Sequence, residues 1–385
     1  MLVIITAIVT FMVTSIGMYK YFIKTDDGNI KILSKKIELS NEGNTIANKI
    51  ELIKKYLQKY YIGELNPENM EEMAIKGYVA GLGDEYTEYL TKDEYEDLLV
   101  SVTGDFVGIG IYMAQDNDGN VVVLMPMENS PAEDAGIEAG DIIVSVDGES
   151  CKNVDLNVVS SKIKGEEKTK VALEILRENE TIQKTIERRT VEIKNSESKV
   201  LDGNIGYIIF TTFDEKCAEQ IEKYLKEFET QGIKSVIIDT RNNTGGIVTE
   251  AIKISELFIE KGNVIMRTYD KDKKETVIES TANSTFDMNV ILLVNDYSAS
   301  ATEILAAALK DNHAATIVGT KTYGKGVMQE IREILNGAIK ITIEEFKTPN
   351  GENINKIGIT PDVEVEDDET TEEDEQLQRA IELLK

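Results

Sequence analysis

The sequence predicts an α/β protein of several domains, and three observations support this. Apolar β-branched runs are followed by a small-residue turn and a helix-forming segment at 236–259 and again at 290–311. Such strand–turn–helix units build a sheet with helices packed on it. Before them, residues 104–189 change to short strands and turns. The length of 385 residues is enough for two or three domains, each with its own core.

Composition limits the classes of function. Lys and Arg number 42 against 70 Asp and Glu, which gives a formal net charge of −28. Nucleic acid is not an expected partner, because binding its phosphates needs basic patches. Two cysteines, Cys151 and Cys217, form neither a disulfide framework nor a metal-ligand spacing. The acidic run 362–375 is expected to be solvated.

The N-terminal residues 1–19 contain no charged side chain, which predicts a membrane-spanning helix. A cleaved signal peptide is the alternative, although a basic n-region and an A-x-A cleavage site are missing. Lys20 and Lys24 follow the apolar run, and by the positive-inside rule they oppose export of the rest of the chain. We assign residues 1–23 as a membrane anchor or signal segment.

The next segment, 41–95, is predicted to be a helical arm. Apolar residues recur there at three- and four-residue steps: Ile46, Ile50, Ile53 and Leu57. This spacing indicates an amphipathic helix. A second helix is predicted to begin at Pro67 and to end before Gly83. We expect the arm to serve packing and to support a homodimer.

Residues 104–189 are predicted to form a small β-rich domain with two helices. Its first strand is interrupted by glycines at Phe106–Ile111, where backbone N–H groups are available to a carboxylate. Asp147-Gly148 indicates a hairpin turn. A helix is predicted over 154–163 and a strand over 170–177. Capture of a peptide end by strand addition and a backbone nest is a use that fits this pattern.

The C-terminal half is predicted to alternate strands and helices. Strands are expected at 205–213, 236–239 and 338–346, with helices at 218–228, 248–259 and 373–384. The pair Gly245-Gly246 follows the second of these strands. The two glycines either only turn the chain or let their N–H groups approach a ligand closely.

Ser300 is the candidate nucleophile. The strand 290–294 and a small-residue turn lead to a helix predicted over Ala301–Asp311, so Ser300 lies at its N-terminus. A serine there either caps the helix or attacks a carbonyl whose oxyanion is held by the N–H of Ala301.

Lys325 is the candidate base for that serine. It lies between two glycines, and Gln329 follows four residues later in the alternating run 327–334. Positions four apart in an extended segment point to the same face, so the two side chains are expected to meet. Desolvation disfavours a charged lysine and prepares it to accept a proton.

Two other functions for this region, a phosphate-binding loop and a Ser-His-Asp triad, fit the sequence less well. Gly319 to Lys325 fits the start of a phosphate-binding loop, but Gly326 replaces the required Ser/Thr and a strand, not a helix, is predicted to follow. A Ser-His-Asp triad would need His313, the only histidine, which is placed at the helix end where it complements the dipole. A lysine base is therefore favoured.

The chain resembles the carboxyl-terminal processing proteases, also called tail-specific proteases, over nearly all of its length. The matching landmarks are Gly81–Tyr86, Phe106–Ile111, Ser130–Ala132, Ala135–Ile143, Arg241–Gly246, Ser298–Glu303, Gly319–Gln329 and Gly358–Asp362. Three positions depart from the usual pattern: Glu85, Thr244 and Thr302.

The resemblance implies a serine endopeptidase that needs no cofactor or metal and is exported and membrane-tethered. It implies a PDZ domain at 96–190, an α/β protease core at 191–362 and an acidic tail with a helix at 363–385. The expected catalytic residues are Ser300, Lys325 and Gln329, with the oxyanion held by Ala301 and Gly245 or Gly246. The expected peptide C-terminus site is Phe106, Val107, Gly108, Ile109 and Gly110. A non-catalytic peptide-binding scaffold of the same architecture is the alternative.

Overall fold

A computed structural model of the chain describes residues 24–26, 29–31, 45–367 and 373–385. The predicted anchor or signal segment, 1–23, lies outside these residues. Among the helices that the structure describes, none has the length and apolarity needed to cross a membrane.

The described residues divide into two compact units, one up to Glu71 and one from Glu72 onward. In the first, strands β1 (Lys24–Asp26) and β2 (Asn29–Lys31) pair antiparallel. Helix α1 (Ile46–Tyr60) follows, capped by the Thr45 side chain, which accepts from the Asn48 N–H at 3.3 Å. Helix α2 (Pro67–Ala80) begins in the first unit and continues into the second. Both predicted N-terminal helices are thus confirmed.

The second unit contains a small β-rich domain with its own apolar core. Strand β3 (Glu88–Leu90) and helix α3 (Lys92–Thr103) precede this domain. Its elements are β4 (Asp105–Gly108), β5 (Ile111–Gln115), β6 (Val121–Pro126), α4 (Pro131–Asp134), β7 (Ile142–Val146), β8 (Glu149–Ser150), α5 (Leu156–Ile163), β9 (Lys170–Arg177), β10 (Glu180–Glu187) and β11 (Arg189–Glu192). The sheet order is β10-β9-β7-β6-β5, with β8 beside β7, and β4 and β11 form a separate ribbon. Strand β5 is therefore an edge strand.

The rest of the second unit is built on two sheets. The elements are β12 (Ser196–Leu201), β13 (Ile205–Phe210), α6 (Cys217–Thr230), β14 (Ser235–Asp239), α7 (Val248–Glu256), β15 (Val264–Asp270), β16 (Glu275–Glu279), β17 (Asn289–Val294), α8 (Ala301–Asp311), β18 (Thr316–Gly319), β19 (Val327–Ile334), β20 (Gly337–Lys347), β21 (Val363–Glu364) and α9 (Glu375–Leu383). Strand β19 and helix α8 have the predicted bounds.

The larger sheet has the order β12-β13-β14-β17-β18-β21 and is parallel from β13 to β21. Alternate side chains of each strand point to opposite faces. On β14, Val236 and Ile238 face a core shared with α6, α7 and α8, whereas Ile237 faces α9. Helices on both faces bury this sheet, which explains its continuous β-branched runs.

The second sheet has the order β16-β15-β20-β19, with β3 paired to β20. It packs on the same core through Met266 and Phe346. The sequence predicted β19 and β20 here but not β3, β15 or β16. Strand β3 is only three residues long, and its partner Ala338 lies far along the chain, so no local pattern indicates the pairing.

Candidate active site

Three loops meet at the carboxyl edge of the larger sheet. They follow the adjacent parallel strands β14, β17 and β18, and they carry the predicted glycine pair, Ser300 and Lys325 respectively. Ligand sites of open α/β sheets lie at this edge. Topology alone therefore brings the three predicted motifs to one place.

Ser300 occupies a strained position between β17 and α8. Its backbone has φ 58° and ψ −115°, a conformation that non-glycine residues rarely adopt. Such strain, which costs about 1–3 kcal/mol, persists where the surrounding structure enforces it and clusters at active sites. A serine on a sharp strand-to-helix turn exposes its Oγ atom at the end of the sheet. Within the described residues, the Ala301 N–H donates no hydrogen bond, so it is available to an oxyanion.

The turn that holds Ser300 is fastened to the glycine loop after β14. The Ser298 hydroxyl donates to the Thr240 carbonyl at 2.9 Å, and the Ala299 N–H donates to the Asn243 carbonyl at 3.1 Å. Thr302, which departs from the family pattern, is fully buried, and its hydroxyl also donates to the Asn243 carbonyl, at 2.9 Å. The threonine methyl group is thus accommodated without loss of this bond.

Gly245 lies directly against the nucleophile turn. A Cβ atom there would be 2.9 Å from the Ala301 nitrogen and 2.9 Å from the Ser300 Cβ, and φ is 105°. Only glycine fits this close approach. Its own N–H donates to Asn243 Oδ1 at 2.9 Å. The Gly246 N–H donates to no residue that the structure describes.

Glu303 joins the nucleophile to the lysine loop. Its side chain is fully buried, and its Oε2 accepts the N–H of Ser300 at 2.9 Å and that of Lys325 at 2.8 Å. Its Oε1 accepts the Gly324 N–H at 2.7 Å and the Thr322 hydroxyl at 2.6 Å. Because one oxygen binds both backbones, the Ser300 and Lys325 segments are adjacent. Burial raises the pKa of Glu303, and these hydrogen bonds oppose that rise.

Lys325 is partly buried beside this carboxylate and forms no ion pair within the described part of the chain. Its Nζ lies 4.8 Å from the centroid of the Tyr86 ring. Burial lowers the pKa of Lys325 below that of an ordinary lysine, and the like charge of Lys340 lowers it further. Three carboxylates oppose the shift: Glu303, Glu88 and Asp84. Among the described residues, the Lys325 ammonium and the Ser300 hydroxyl are not hydrogen-bonded to each other.

Gln329 lies on β19, on the far side of a bulge between Met328 and Gln329. Lys325 precedes this strand, so the two residues do not share one regular extended segment. The Gln329 amide donates to the Thr342 hydroxyl at 3.4 Å. The predicted contact between Gln329 and Lys325 is not among the hydrogen bonds of the described residues.

His313 lies just past the C-terminal end of α8, with φ 55°. Helix α8 has 11 residues, and at about 1.5 Å per residue it separates His313 from Ser300 by roughly 16 Å. The histidine is therefore out of reach of the nucleophile. The segment after Lys325 is strand β19, which does not fit a phosphate-binding loop.

The chain is similar to known peptidases. The profile of peptidase family S41 matches residues 204–365, and that of a PDZ domain matches 122–177. A "Probable CtpA-like serine protease" of Staphylococcus haemolyticus is 36% identical over 337 residues, which cover 86% of this chain and 68% of that protein. This chain belongs to peptidase family S41. It is a serine-type peptidase of the C-terminal processing group, with a PDZ domain ahead of the S41 core.

The chain is also similar to other known proteins. The corresponding Staphylococcus epidermidis protein is 37% identical over 339 residues, 87% of this chain and 69% of that protein. The solved photosystem II D1 C-terminal processing protease is 27% identical, covers 86% of this chain and 90% of that chain, and has a TM-score of 0.48. This S41 peptidase thus spans about two thirds of the length of its curated relatives.

In this S41 peptidase, the residues predicted to bind a peptide end lie in β4 and in the turn that joins it to β5. Phe106, Val107 and Gly108 pair with β11, and Ile109 and Gly110 connect to the edge strand β5. In the described structure, the N–H groups of Ile109 and Gly110 donate no hydrogen bond. Their carbonyls accept the N–H groups of Ala132 and Met127, at 2.8 Å and 3.0 Å, which fixes the loop.

Sequence reasoning gave no role to three residues of the site in this S41 peptidase: Glu303, Asn243 and Tyr86. A carboxylate three residues after a helix-start serine is a recognisable capping signal, so Glu303 could have been found as a partner of the Ser300 N–H. Its bonds to the loop after β18 depend on the tertiary fold. The position of the Tyr86 ring also depends on the tertiary fold.

Proposed function

We propose that this chain is an endopeptidase in which Ser300 is the nucleophile and Lys325 is the general base. The observation that carries the proposal is the buried Glu303 carboxylate, which binds the backbone N–H groups of both residues through one oxygen. The lowered pKa of Lys325 supports a base that is neutral in a larger fraction of molecules than an ordinary lysine.

In the first step, Lys325 Nζ accepts the proton of the Ser300 hydroxyl while Oγ bonds to the peptide carbonyl carbon. The negative charge that develops on the carbonyl oxygen is held by the Ala301 N–H and by that of Gly245 or Gly246. The Gly246 N–H donates to no described residue and is therefore the simpler second donor to the oxyanion. The Gly245 N–H already donates to Asn243 Oδ1 and would have to exchange that partner.

In the second step, the peptide C–N bond breaks and the Lys325 ammonium gives its proton to the leaving amine. Neutral Lys325 then takes a proton from water as the water oxygen bonds to the acyl carbon. The Oγ–C bond breaks, the Lys325 ammonium returns the proton to Ser300 Oγ, and the product is released. Gln329 orients the lysine in this scheme. To do so, its Oε1 atom would accept from Lys325 Nζ, since its Nε2 atom already donates to the Thr342 hydroxyl at 3.4 Å.

The test is an activity assay with an internally quenched peptide that ends in an apolar residue. Ser300→Ala and Lys325→Ala should each reduce kcat by at least about 1,000-fold, because the nucleophile and its base act as a unit. Unchanged cleavage by either variant contradicts the assignment. Binding of the peptide without turnover by the wild type favours the non-catalytic scaffold instead.

We also propose that the PDZ domain binds the free C-terminal end of the substrate at residues 106–110. Two unused N–H groups, on Ile109 and Gly110, and the free edge of β5 support strand addition of a peptide with its carboxylate at the loop. A substrate with a C-terminal carboxamide should then have a KM at least about 5-fold higher than the same peptide with a free carboxylate. Equal KM values contradict this role.

For the N-terminal segment, we propose that residues 1–23 tether the peptidase to a membrane, with its catalytic part outside the cytoplasm. The support is the uncharged stretch 1–19. The full chain should remain in the membrane fraction after alkaline extraction, and a variant lacking residues 1–23 should not. Digestion of the catalytic part by a protease added to intact cells tests the orientation.

A homodimer through the helical arm at 41–95 remains a proposal, supported by the amphipathic pattern of α1. Sedimentation of the chain from residue 41 should give the mass of two copies. A single-copy mass at micromolar concentration contradicts it.

A further inference from the structure

The Lys325 ammonium has an unusual partner. Its Nζ lies 4.8 Å from the centroid of the Tyr86 ring, within the range of a cation–π interaction. The other charged groups that act on it come from four elements: Lys340 on β20, Glu303 on α8, Glu88 on β3 and Asp84 in the segment before β3. Since Lys325 forms no ion pair in the described structure, the ring is a favourable partner for its positive charge in addition to the three carboxylates.

Tyr86 is held in place by the fold and not by the lysine. Its N–H donates to Asp84 Oδ1 at 3.3 Å, and the next residue, Thr87, is buried and accepts the Thr342 N–H at 3.0 Å. The strand that follows, β3, pairs with β20. The backbone that carries the ring is thus fixed next to the sheet that also carries Gln329.

We infer that Tyr86 is a positioning residue for Lys325, whose ring face stabilises the positive charge that the lysine acquires when it takes the Ser300 proton. The inference rests on the proposed function. As the Oγ–C bond forms, the proton passes to Nζ and an ammonium appears beneath the ring. As the C–N bond breaks, the same proton passes to the leaving amine and the ring again faces a neutral amine. The interaction is therefore stronger in the charge-separated transition state than in the ground state with a neutral base.

Removal of the ring has two measurable consequences. The contact favours ammonium over amine, so without it Lys325 loses its proton at lower pH. The acidic limb of the kcat/KM profile of Tyr86→Leu should move down by about 0.4–1.5 pH. Because the developing ammonium also loses its partner, the high-pH plateau of kcat/KM should fall by about 2- to 30-fold.

The experiment measures kcat/KM from pH 6 to 10 on the full chain with the quenched peptide. Tyr86→Phe retains a ring, so its acidic limb should stay within about 0.3 pH of the wild-type limb and its plateau within about twofold of the wild-type plateau. The matched control is Tyr269→Leu, since Lys347 Nζ lies 4.8 Å from the Tyr269 ring centroid, on the β15–β20 pair. That variant should leave the whole profile unchanged.

A limb of Tyr86→Leu within about 0.2 pH of the wild-type limb overturns the inference, whatever happens to the plateau, because a purely structural role predicts that result. A lower limb with an unchanged plateau also overturns it, since the ring would then act only on the resting ammonium. Ser300→Ala separates the two proposals. If it abolishes cleavage while Tyr86→Leu behaves as wild type, the Ser-Lys mechanism stands and only the role of Tyr86 fails.

Discussion

At the scale of single residues, the buried Glu303 carboxylate is the point where the nucleophile turn and the lysine loop are joined. We expect Glu303→Gln to lower the free energy of unfolding by about 2–4 kcal/mol, because an amide offers one acceptor oxygen and directs its NH2 group at backbone donors. The value of kcat/KM should fall by at least about 10-fold. Urea unfolding and peptide assays of the same preparations measure both.

The matched control for Glu303 is Glu250, another buried carboxylate. It lies on α7 and accepts the Ala218 N–H at 3.1 Å, with Lys253 Nζ at 2.6 Å. Glu250→Gln should also destabilise the fold, with kcat/KM of the folded protein unchanged. If both variants lose the same activity at equal stability, the link between Ser300 and Lys325 through Glu303 has no specific role in catalysis.

Protonation of Lys325 gives a second prediction at this scale. Burial lowers the pKa of Lys325 below the ordinary lysine value, and only the neutral amine accepts the Ser300 proton. The neutral fraction grows as pH rises, so kcat/KM should increase with pH and level off above the lowered pKa. A flat profile between about pH 6 and 9 speaks against a lysine base.

At the scale of elements, the last helix clamps the start of the glycine loop. Arg241, just after β14, binds Asp239 at 2.7 Å and both carboxylate oxygens of Asp374, each at 2.8 Å. Asp374 is the N-cap of α9, where it accepts the Leu377 N–H at 2.8 Å. The Arg241 side chain is only 14% exposed. Helix α9 and the loop that carries Gly245 and Gly246 are thus held by one bidentate contact.

We expect Asp374→Asn to lower the free energy of unfolding by about 1–2 kcal/mol at pH 7, after allowance for solvent screening of a partly exposed carboxylate. Burial raises the pKa of Asp374, but the bonds from Arg241 and the Leu377 N–H outweigh it, so the pKa lies below its usual value. A depressed folded pKa stabilises the fold above the unfolded pKa, and this contribution is lost as pH falls through the folded pKa.

The difference between wild type and Asp374→Asn should therefore shrink below about pH 4, close to the unfolded aspartate pKa. Chemical denaturation at several pH values measures it. Glu382→Gln on the same helix removes only an exposed pair with Arg379 and should have no effect. A difference between wild type and Asp374→Asn that is constant down to pH 3 would show that the carboxylate charge is not involved.

The elements also show what the sequence could predict. Helix α8 was predicted with its observed bounds, because Ala301–Asp311 is rich in helix formers and follows an apolar strand. Strand β19 was predicted equally well from its alternation. The expected meeting of Lys325 and Gln329 assumed one regular strand, and the bulge after Met328 interrupts it. Bulges depend on the partner strand and leave no clear signal in one segment.

At the scale of the whole molecule, the larger sheet determines which predicted motifs meet. The parallel order β14-β17-β18 brings three loops to one edge, although they lie about 240, 300 and 320 residues along the chain. Each loop was visible in the sequence as a glycine or small-residue turn after a strand. The partners of Glu303 and the ring over Lys325 were not, because they come from segments that only the tertiary fold places together.

At this scale, ion pairs also join the S41 core to the ribbon of β4 and β11, which flanks the residues matched by the PDZ profile. Lys216, just before α6 of the core, binds Asp105 of β4 at 2.7 Å and Glu192 of β11 at 3.3 Å. Asn195 donates to Asp214 at 2.7 Å nearby. The hydrogen bond to Asp105 raises the pKa of Lys216, so the lysine is charged at neutral pH. Strand β4 leads into residues 106–110, so this contact fixes the base of the proposed peptide-end site.

We expect Lys216→Ala to leave Asp105 without its cation and to loosen β4. The second oxygen of Asp105, Oδ1, has no hydrogen-bond partner among the described residues, so the carboxylate depends on this one ion pair. The variant should melt about 2–4 °C below wild type. A loss near 1 kcal/mol has this effect in a domain of about 150 to 250 residues, the size range of the S41 core. Its preference for a free carboxylate over a carboxamide substrate should fall at least about twofold.

Lys226→Ala, which removes an exposed pair with Glu222 on the same helix, should change neither the melting temperature nor this preference. If both variants keep the wild-type preference, the PDZ domain recognises peptide ends independently of its attachment to the core.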